Sequence, residues 1–112
     1  MQEEIRRAIA HAAAARVNGS PNGTVYSYAA ARHTHFSGNG PGGYDHDAGA
    51  HVSTSENGLY HYGLGAHISL NVDGDRFSGY DYHSGSHFSG SVNGSSVQIY
   101  DYGEGQWFNY NA

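Results

Sequence analysis

The sequence contains no cysteine and no lysine, and both absences limit what the chain can do. Without cysteine there is no disulfide framework, no thiolate metal site and no cysteine nucleophile. The basic residues are all arginine, and with histidine neutral the formal net charge is −5. A chain of this charge does not attract the phosphates of nucleic acid, so no nucleic-acid partner is expected.

Residues with large, purely hydrocarbon side chains are also scarce. Leucine, isoleucine, valine and phenylalanine make up 17 of the 112 residues, and no apolar run is long enough for a membrane span. From Met1 to Arg16 the chain carries charges where a signal peptide needs an uninterrupted apolar stretch, so none is predicted in the chain as given. Ten tyrosines and one tryptophan supply apolar surface instead, and the length suits a single domain, 1–112.

The amino-terminal part of the chain predicts one amphipathic helix over 2–17. Glu3 and Glu4 open it and Arg16 lies near its end, the order that the helix dipole favours. Apolar residues recur at helical spacing on one side, namely Ile5, Ala8, Ile9, Ala12, Ala13 and Val17. Because this stripe is mostly alanine, we expect the helix to lie flat against a sheet. A helix that docks on a partner or on a membrane surface is the weaker alternative.

A motif repeated five times organises the remainder, 24–111. Each copy has tyrosine, then tyrosine or histidine two residues later, a small residue and then histidine or tryptophan. The copies begin at Tyr26, Tyr44, Tyr60, Tyr80 and Tyr100. Each copy predicts a strand, a two-residue turn and the start of a returning strand. The predicted turns are Ala30-Ala31, Ala48-Gly49, Leu64-Gly65, Ser84-Gly85 and Glu104-Gly105, with Asn57-Gly58, Asp73-Gly74 and Asn93-Gly94 between copies.

These turns predict a mainly β fold. We expect an up-and-down antiparallel β-meander of about 8–10 strands, strongly coiled or closed into a barrel, preceded by the one helix. An irregular loop is expected over 37–43, where glycine is frequent. Antiparallel pairing around the turns places the aliphatic residues on one face of the sheet.

The other face is rich in tyrosine and histidine and is the predicted binding face. Its members are Tyr60, Tyr62, His67, Tyr80, Tyr82, His87, Tyr100, Tyr102 and Trp107, interspersed with Ser69, Ser78, Ser89, Ser91, Gln98 and Asn109. The predicted register places Tyr62 opposite His67, His67 opposite Tyr80, Tyr82 opposite His87, and His87 opposite Tyr100. Aromatic rings beside hydroxyl and amide groups suit stacking on sugar rings or contact with another protein.

Four histidines are the candidate metal ligands. His33 and His35 alternate on one predicted strand, and His46 and His51 are predicted to face each other across a hairpin. Either pair suits zinc, nickel or copper, but the sequence shows no third ligand. Trp107 replaces histidine at the same motif position in the fifth copy, which favours an aromatic packing role there. No cofactor is therefore expected, with a histidine site for zinc, nickel or copper as the alternative.

Acidic residues recur beside the predicted turns. Asp45, Asp81 and Asp101 share the second motif position, where a carboxylate can accept backbone N–H groups of the turn. We expect this structural role rather than a catalytic set, because a catalytic set requires a shared pocket. Asp73 and Asp75 suggest calcium, but the further ligands of a calcium loop are missing from the sequence around them.

The sequence favours a binding protein over an enzyme. It carries no nucleophile elbow, zinc-protease helix, phosphate-binding loop or dinucleotide motif, so no catalytic residue is predicted. Ten fully exposed tyrosines would form a larger apolar patch than soluble monomers usually expose. We expect a structural or adhesive β-repeat module that forms a homo-oligomer or binds a polymer or protein partner through this face. The alternatives are a carbohydrate-binding module for a polysaccharide and a histidine-based metal-binding protein.

Overall fold

Ten antiparallel strands close into an up-and-down barrel around one helix in the computed structural model, which describes residues 1–18, 24–37, 42–55 and 57–112. The elements are α1 (Glu3–Asn18), β1 (Thr24–Ser27), β2 (Arg32–Ser37), β3 (Gly42–Asp45), β4 (Ala50–Ser55), β5 (Gly58–His61), β6 (Ala66–Asp73), β7 (Arg76–Asp81), β8 (Ser86–Asn93), β9 (Ser96–Asp101) and β10 (Gln106–Asn111). Strands adjacent in sequence pair with each other, and β1 pairs with β10. The predicted meander preceded by one helix is confirmed, and its form is the barrel.

The helix α1 lies inside the barrel, so the prediction that it lies flat against a sheet is wrong. Its consecutive residues from Ile5 to Ala10 are all buried, which covers every side of the helix. It packs against β1 and β9 on one side and against β5 and β6 on the opposite side. A helix buried all round inside a narrow barrel leaves space for few large side chains, which explains its many alanines beside Ile5 and Ile9. The same burial contradicts the alternative of a helix presented to a partner or a membrane surface.

The predicted two-residue turns of the motif are wrong in length. Asp45 pairs with Ala50 and Asp81 pairs with Ser86, so four residues form each of these turns. The five four-residue turns, 28–31, 46–49, 62–65, 82–85 and 102–105, lie at one end of the barrel, here called the motif end. The fourth turn residue is left-handed, for example Gly85 with φ 72° and, in the first hairpin, Ala31 with φ 54°.

Two turns at the opposite end begin one residue later than predicted. Asp73 pairs with Arg76 and Asn93 pairs with Ser96, so the turns are Gly74-Asp75 and Gly94-Ser95. Gly58 pairs with Ser55 and begins β5 instead of forming the turn. The loop expected over 37–43 is also shorter, because 37 belongs to β2 and 42–43 belong to β3. Positions 38–41 of the predicted loop lie outside the described residues.

Glycines in the barrel wall make room for two phenylalanines. Across β7 and β8, Gly79 pairs with Phe88 and Gly90 pairs with Phe77. A Cβ added at Gly79 would lie 1.9 Å from the Ser69 carbonyl oxygen and 2.6 Å from the Phe88 ring. At Gly90 it would lie 2.5 Å from the Phe77 ring. Each phenylalanine therefore fills the space that the opposite glycine leaves.

We expect Gly79→Ala to destabilise the barrel by about 1–3 kcal/mol, because the added methyl group has no space beside Phe88. Without such a clash, glycine to alanine in a strand stabilises a protein by roughly 0.4–1 kcal/mol through the unfolded chain. Urea unfolding measures the change, with the exposed Ser78→Ala on the same strand as control. A Gly79→Ala protein as stable as the parent would contradict this packing.

Candidate functional site

In each copy of the motif, the side chain at the second position points into the barrel beside the motif-end turn. There it accepts hydrogen bonds from backbone N–H groups of that turn. Asp45 Oδ1 accepts the N–H groups of Asp47 and Ala48, both at 3.0 Å. Asp81 and Asp101 do the same in their turns, where Asp81 Oδ1 accepts the His83 N–H and Asp101 Oδ1 accepts the Gly103 N–H, each at 2.9 Å. These are the predicted turn contacts. In the remaining two hairpins the acceptors are Ser27 Oγ, 3.2 Å from the Ala30 nitrogen, and His61 Nδ1, 3.3 Å from the Leu64 nitrogen.

Two of these carboxylates also hold α1 in the barrel. Arg7 Nη2 lies 2.9 Å from Asp45 Oδ2, and Arg6 Nη1 lies 3.1 Å from Asp101 Oδ2. The Arg6 guanidinium also stacks 3.7 Å from the centre of the Phe108 ring. Sequence analysis missed both arginines. Adjacent cations near a helix amino terminus oppose the helix dipole and require anionic partners, and this was the available signal.

Burial and these partners set the ionisation of the interior groups. Burial by itself would raise the pKa of Asp45, but the His61 ring, the Ala48 N–H and the Arg7 charge outweigh it and lower that pKa below its ordinary value. His61 Nε2 lies 4.0 Å from Asp45 Oδ2, too far for a hydrogen bond. The pKa of Tyr110 is raised, first by burial and then by Glu3, whose carboxylate accepts its hydroxyl at 2.9 Å. These contacts hold the helix and the turns together.

The outward face at the motif end carries three aromatic side chains on every hairpin. They form a continuous band around the barrel, here called the aromatic girdle: Tyr26, Tyr28, His33, Tyr44, His46, His51, Tyr60, Tyr62, His67, Tyr80, Tyr82, His87, Tyr100, Tyr102 and Trp107. All nine residues of the predicted binding face belong to it. The first two hairpins complete the band because they carry the same motif.

Four of the five hairpins share one arrangement of their three rings, and in the third hairpin Tyr60 meets Tyr62 edge-on at 4.8 Å. Tyr80 is half-buried and meets Tyr82 edge-on at 4.8 Å and His87 edge-on at 4.6 Å between ring centres. In the fifth hairpin Tyr100 meets Tyr102 at 4.8 Å and Trp107 at 5.2 Å, again edge-on. Edge-to-face contact is a preferred geometry of aromatic pairs. The central tyrosine therefore braces the two outer rings.

The predicted pairs within the girdle are wrong, because each motif turn is longer than predicted. His67 pairs with Tyr60 rather than Tyr62, and His87 pairs with Tyr80 rather than Tyr82. Between hairpins, the His67 ring lies 5.5 Å from Tyr82 instead of opposite Tyr80. Likewise Ser89, not His87, pairs with Tyr100. Because each displacement is by two residues, every ring still lies on its predicted face.

Both outer rings of each hairpin are exposed to solvent. Tyr28, Tyr62, Tyr82 and Tyr102 are 59–63% exposed, and Trp107 is 58% exposed. None of the girdle side chains is acidic, lysine or arginine. The helix covers the aliphatic face from inside, so no described part of the chain covers the protruding rings. The girdle is an exposed, braced and uncharged aromatic surface.

The structure brings together only two of the four candidate metal ligands. The His35 and His46 rings lie 5.3 Å apart, whereas His33 packs on Tyr26 at 4.6 Å and His51 packs on Tyr44 at 4.9 Å. The predicted pairing of His46 with His51 is wrong, since Tyr44 lies opposite His51. Within the described ranges, no group of three or more histidine, aspartate or glutamate side chains is arranged to hold a metal ion.

Comparisons with known proteins yield no relative from which function can be transferred. Neither a protein-family model, nor a curated protein, nor a solved structure matches the chain. Among the described residues no helix is long and apolar enough to cross a membrane.

We expect Asp45→Asn to lower the free energy of unfolding by about 3 kcal/mol at pH 7, because it removes the fully buried one of the two carboxylates that pair with Arg7 and leaves only Asp47, at 3.4 Å. Asp81→Asn is the matched control: Asp81 binds its turn in the same way, and within the described residues no arginine pairs with it. Urea unfolding at pH 7 measures both variants, and equal losses would contradict the role given to Arg7.

The same pair predicts a pH dependence. The pKa of Asp45 is lowered in the folded state, so its stabilising contribution is present above the unfolded value of about 3.9. That contribution is lost as the pH falls through the folded pKa. The stability difference between the parent and Asp45→Asn should therefore shrink as the pH falls below about 4. A difference that stays constant down to pH 2 would contradict it.

Proposed function

We propose that the protein is a non-enzymatic adhesive module that holds a macromolecular partner through the aromatic girdle. The observation that carries the proposal is the braced ring on each hairpin, such as Tyr82, 63% exposed and in edge contact with Tyr80. A ring held in one orientation loses little conformational entropy on binding. Tyrosine also offers a hydroxyl beside its apolar face, so it can contact partners of mixed polarity.

The fivefold repetition favours a partner with repeated units. The girdle surrounds the barrel, and one flat interface reaches only a few of its hairpins. A polymer that wraps around the barrel, or several chains that meet it from different sides, can engage more of them. Weak contacts linked in this way add to a much stronger overall attachment.

The charges of the chain favour a partner held by stacking and hydrogen bonds. The girdle itself carries no acidic residue and no arginine, and the whole chain has a formal charge of −5 with histidine neutral. The girdle therefore suits a partner that carries no strong charge of its own.

A second copy of this chain is the alternative partner. The exposed rings encircle one end of the barrel, and aromatic surfaces of this extent are often covered by association in solution. Two girdles present the same rings to each other, and none of these side chains is acidic or arginine. Both partners use the same surface, so one set of variants tests them together.

We expect the variant Tyr28→Ser, Tyr62→Ser, Tyr82→Ser, Tyr102→Ser to lose binding about tenfold or more while remaining folded, because only protruding rings are removed. Binding is measured as co-sedimentation with suspended cellulose and chitin, and self-association as mass by light scattering. Gln98→Ala with Asn109→Ala, exposed on the same outward face, is the matched control. The triple replacement of Tyr80, Tyr100 and Trp107 by serine also removes two half-buried braces and is a less selective test.

Light scattering at pH 7.5 and 5.5, with and without chelator, identifies the partner. An oligomer that persists with chelator makes the partner a second copy of the chain. If the protein is a monomer and sediments with a polysaccharide, the partner is a polymer. A monomer retained by neither polymer, or a girdle variant that behaves as the parent, would overturn the proposal. A folded parent that needs zinc, nickel or copper to associate would instead favour the histidine metal site.

A further inference from the structure

A groove on the outside of the barrel runs alongside the aromatic girdle. Two adjoining hollows of about 500 Å³ and 570 Å³ share Asn71, Ser78 and Ser89 and cross β6, β7 and β8. On the central strand the groove extends from Arg76 to Tyr80, which is roughly 14 Å at ~3.4 Å per residue. The groove is therefore long and open, a shape that suits an extended chain.

The floor of the groove consists of small polar side chains. Ser78 and Asn71 are exposed, and Ser89 and Ser91 are half-buried, so a ligand in the groove can reach them. Hydroxyl and amide groups both donate and accept hydrogen bonds, as the hydroxyl groups of a sugar do. These small residues lie where β6 and β8, each of eight residues, extend beyond the girdle.

Aromatic rings form the wall at the girdle side. Tyr102 lines one hollow and Trp107 lines the other, and their side chains are 60% and 58% exposed. The two faces of a pyranose ring present C–H groups, whereas its edge carries hydroxyl groups. A sugar ring can therefore stack on Tyr102 or Trp107 and turn its hydroxyl groups to the serine floor.

Charge and topology argue against the other extended ligands. The charged residues that line the groove are Asp73 and Arg76, which pair with each other in the ladder at the end away from the girdle. Their opposite charges do not favour a polyanion such as nucleic acid. A peptide that adds as a strand needs a free sheet edge, and β6, β7 and β8 are each paired on both sides.

From this arrangement we infer that the groove is a binding site for a neutral oligosaccharide segment, with Trp107 and Tyr102 as stacking platforms and Asn71, Ser78 and Ser89 as hydrogen-bonding floor. The inference rests on the proposed function, because the aromatic wall of the groove belongs to the girdle. It names the partner as a neutral polysaccharide and places one stretch of that chain across β6, β7 and β8. The other hairpins provide further stacking contacts around the barrel.

Titration of the intact chain with cellohexaose, chitohexaose and maltohexaose tests the inference. Trp107 is the only tryptophan of the chain, so its fluorescence reports occupation of the groove, and calorimetry gives the affinity. At least one hexasaccharide should change the emission saturably. Asn71→Leu and Ser89→Val should weaken that binding about tenfold, since each replaces a hydrogen-bonding group by an apolar one. Ser53→Val, outward on β4 on another side of the barrel, should leave the affinity unchanged.

The outcomes separate this inference from the proposed function. Tyr28→Ser with Tyr62→Ser could abolish binding while Asn71→Leu and Ser89→Val leave it unchanged. This result would overturn the groove as the binding site and keep the adhesive girdle. Self-association without any hexasaccharide binding at millimolar concentration would do the same. Preferential binding of a polyanion such as heparin or oligo(dT) would overturn the neutral ligand class. Trp107→Ala, followed by calorimetry, should remove most of the affinity if stacking on this ring contributes as inferred.

Discussion

The inward side chain at the second motif position is the contact on which the rest of the structure depends. In three hairpins it is an aspartate whose carboxylate accepts backbone N–H groups of the turn. The resulting four-residue turn sets the register of the two strands, and the register brings Tyr80 opposite His87 and Tyr100 opposite Trp107. Asp45 and Asp101 also bind the arginines of α1. One small interior contact thus determines both how the barrel is filled and how its exterior rings are arranged.

Interior and exterior therefore have different tasks. Inside, buried ion pairs and the Phe77 and Phe88 packing hold a helix of small residues in a narrow space. Outside, at the same end, the rings are braced by each other and remain exposed. The rigid interior keeps the hairpins in fixed positions, which a surface that binds through several weak contacts requires. The neutral serine floor beside Trp107 adds hydrogen bonding to that stacking surface.

The sequence predicted the faces of the sheet better than its register. Alternation has a period of two, so an error of two residues left Tyr62 and Tyr82 on the correct side while giving them the wrong partners. The turn length escaped prediction because it depends on Asp45 or Asp81 capturing turn N–H groups, which glycine dipeptides alone do not reveal. The position of α1 was not predicted because a helix rich in alanine can pack on the face of a sheet as well as inside a barrel. The groove was not predicted because its position depends on how far β6 and β8 extend beyond the girdle.

A helix enclosed by a closed ring of hairpins also fixes how many copies of the motif the chain can hold. Open repeat arrays gain or lose units at little cost, because each unit contacts only its neighbours. Here a further hairpin would widen the ring and separate the wall from Ile5, Ile9 and the arginines, and one hairpin fewer would leave no room for α1. The motif could diverge in sequence, as Trp107 in place of histidine illustrates, but its copy number is tied to the diameter of one helix.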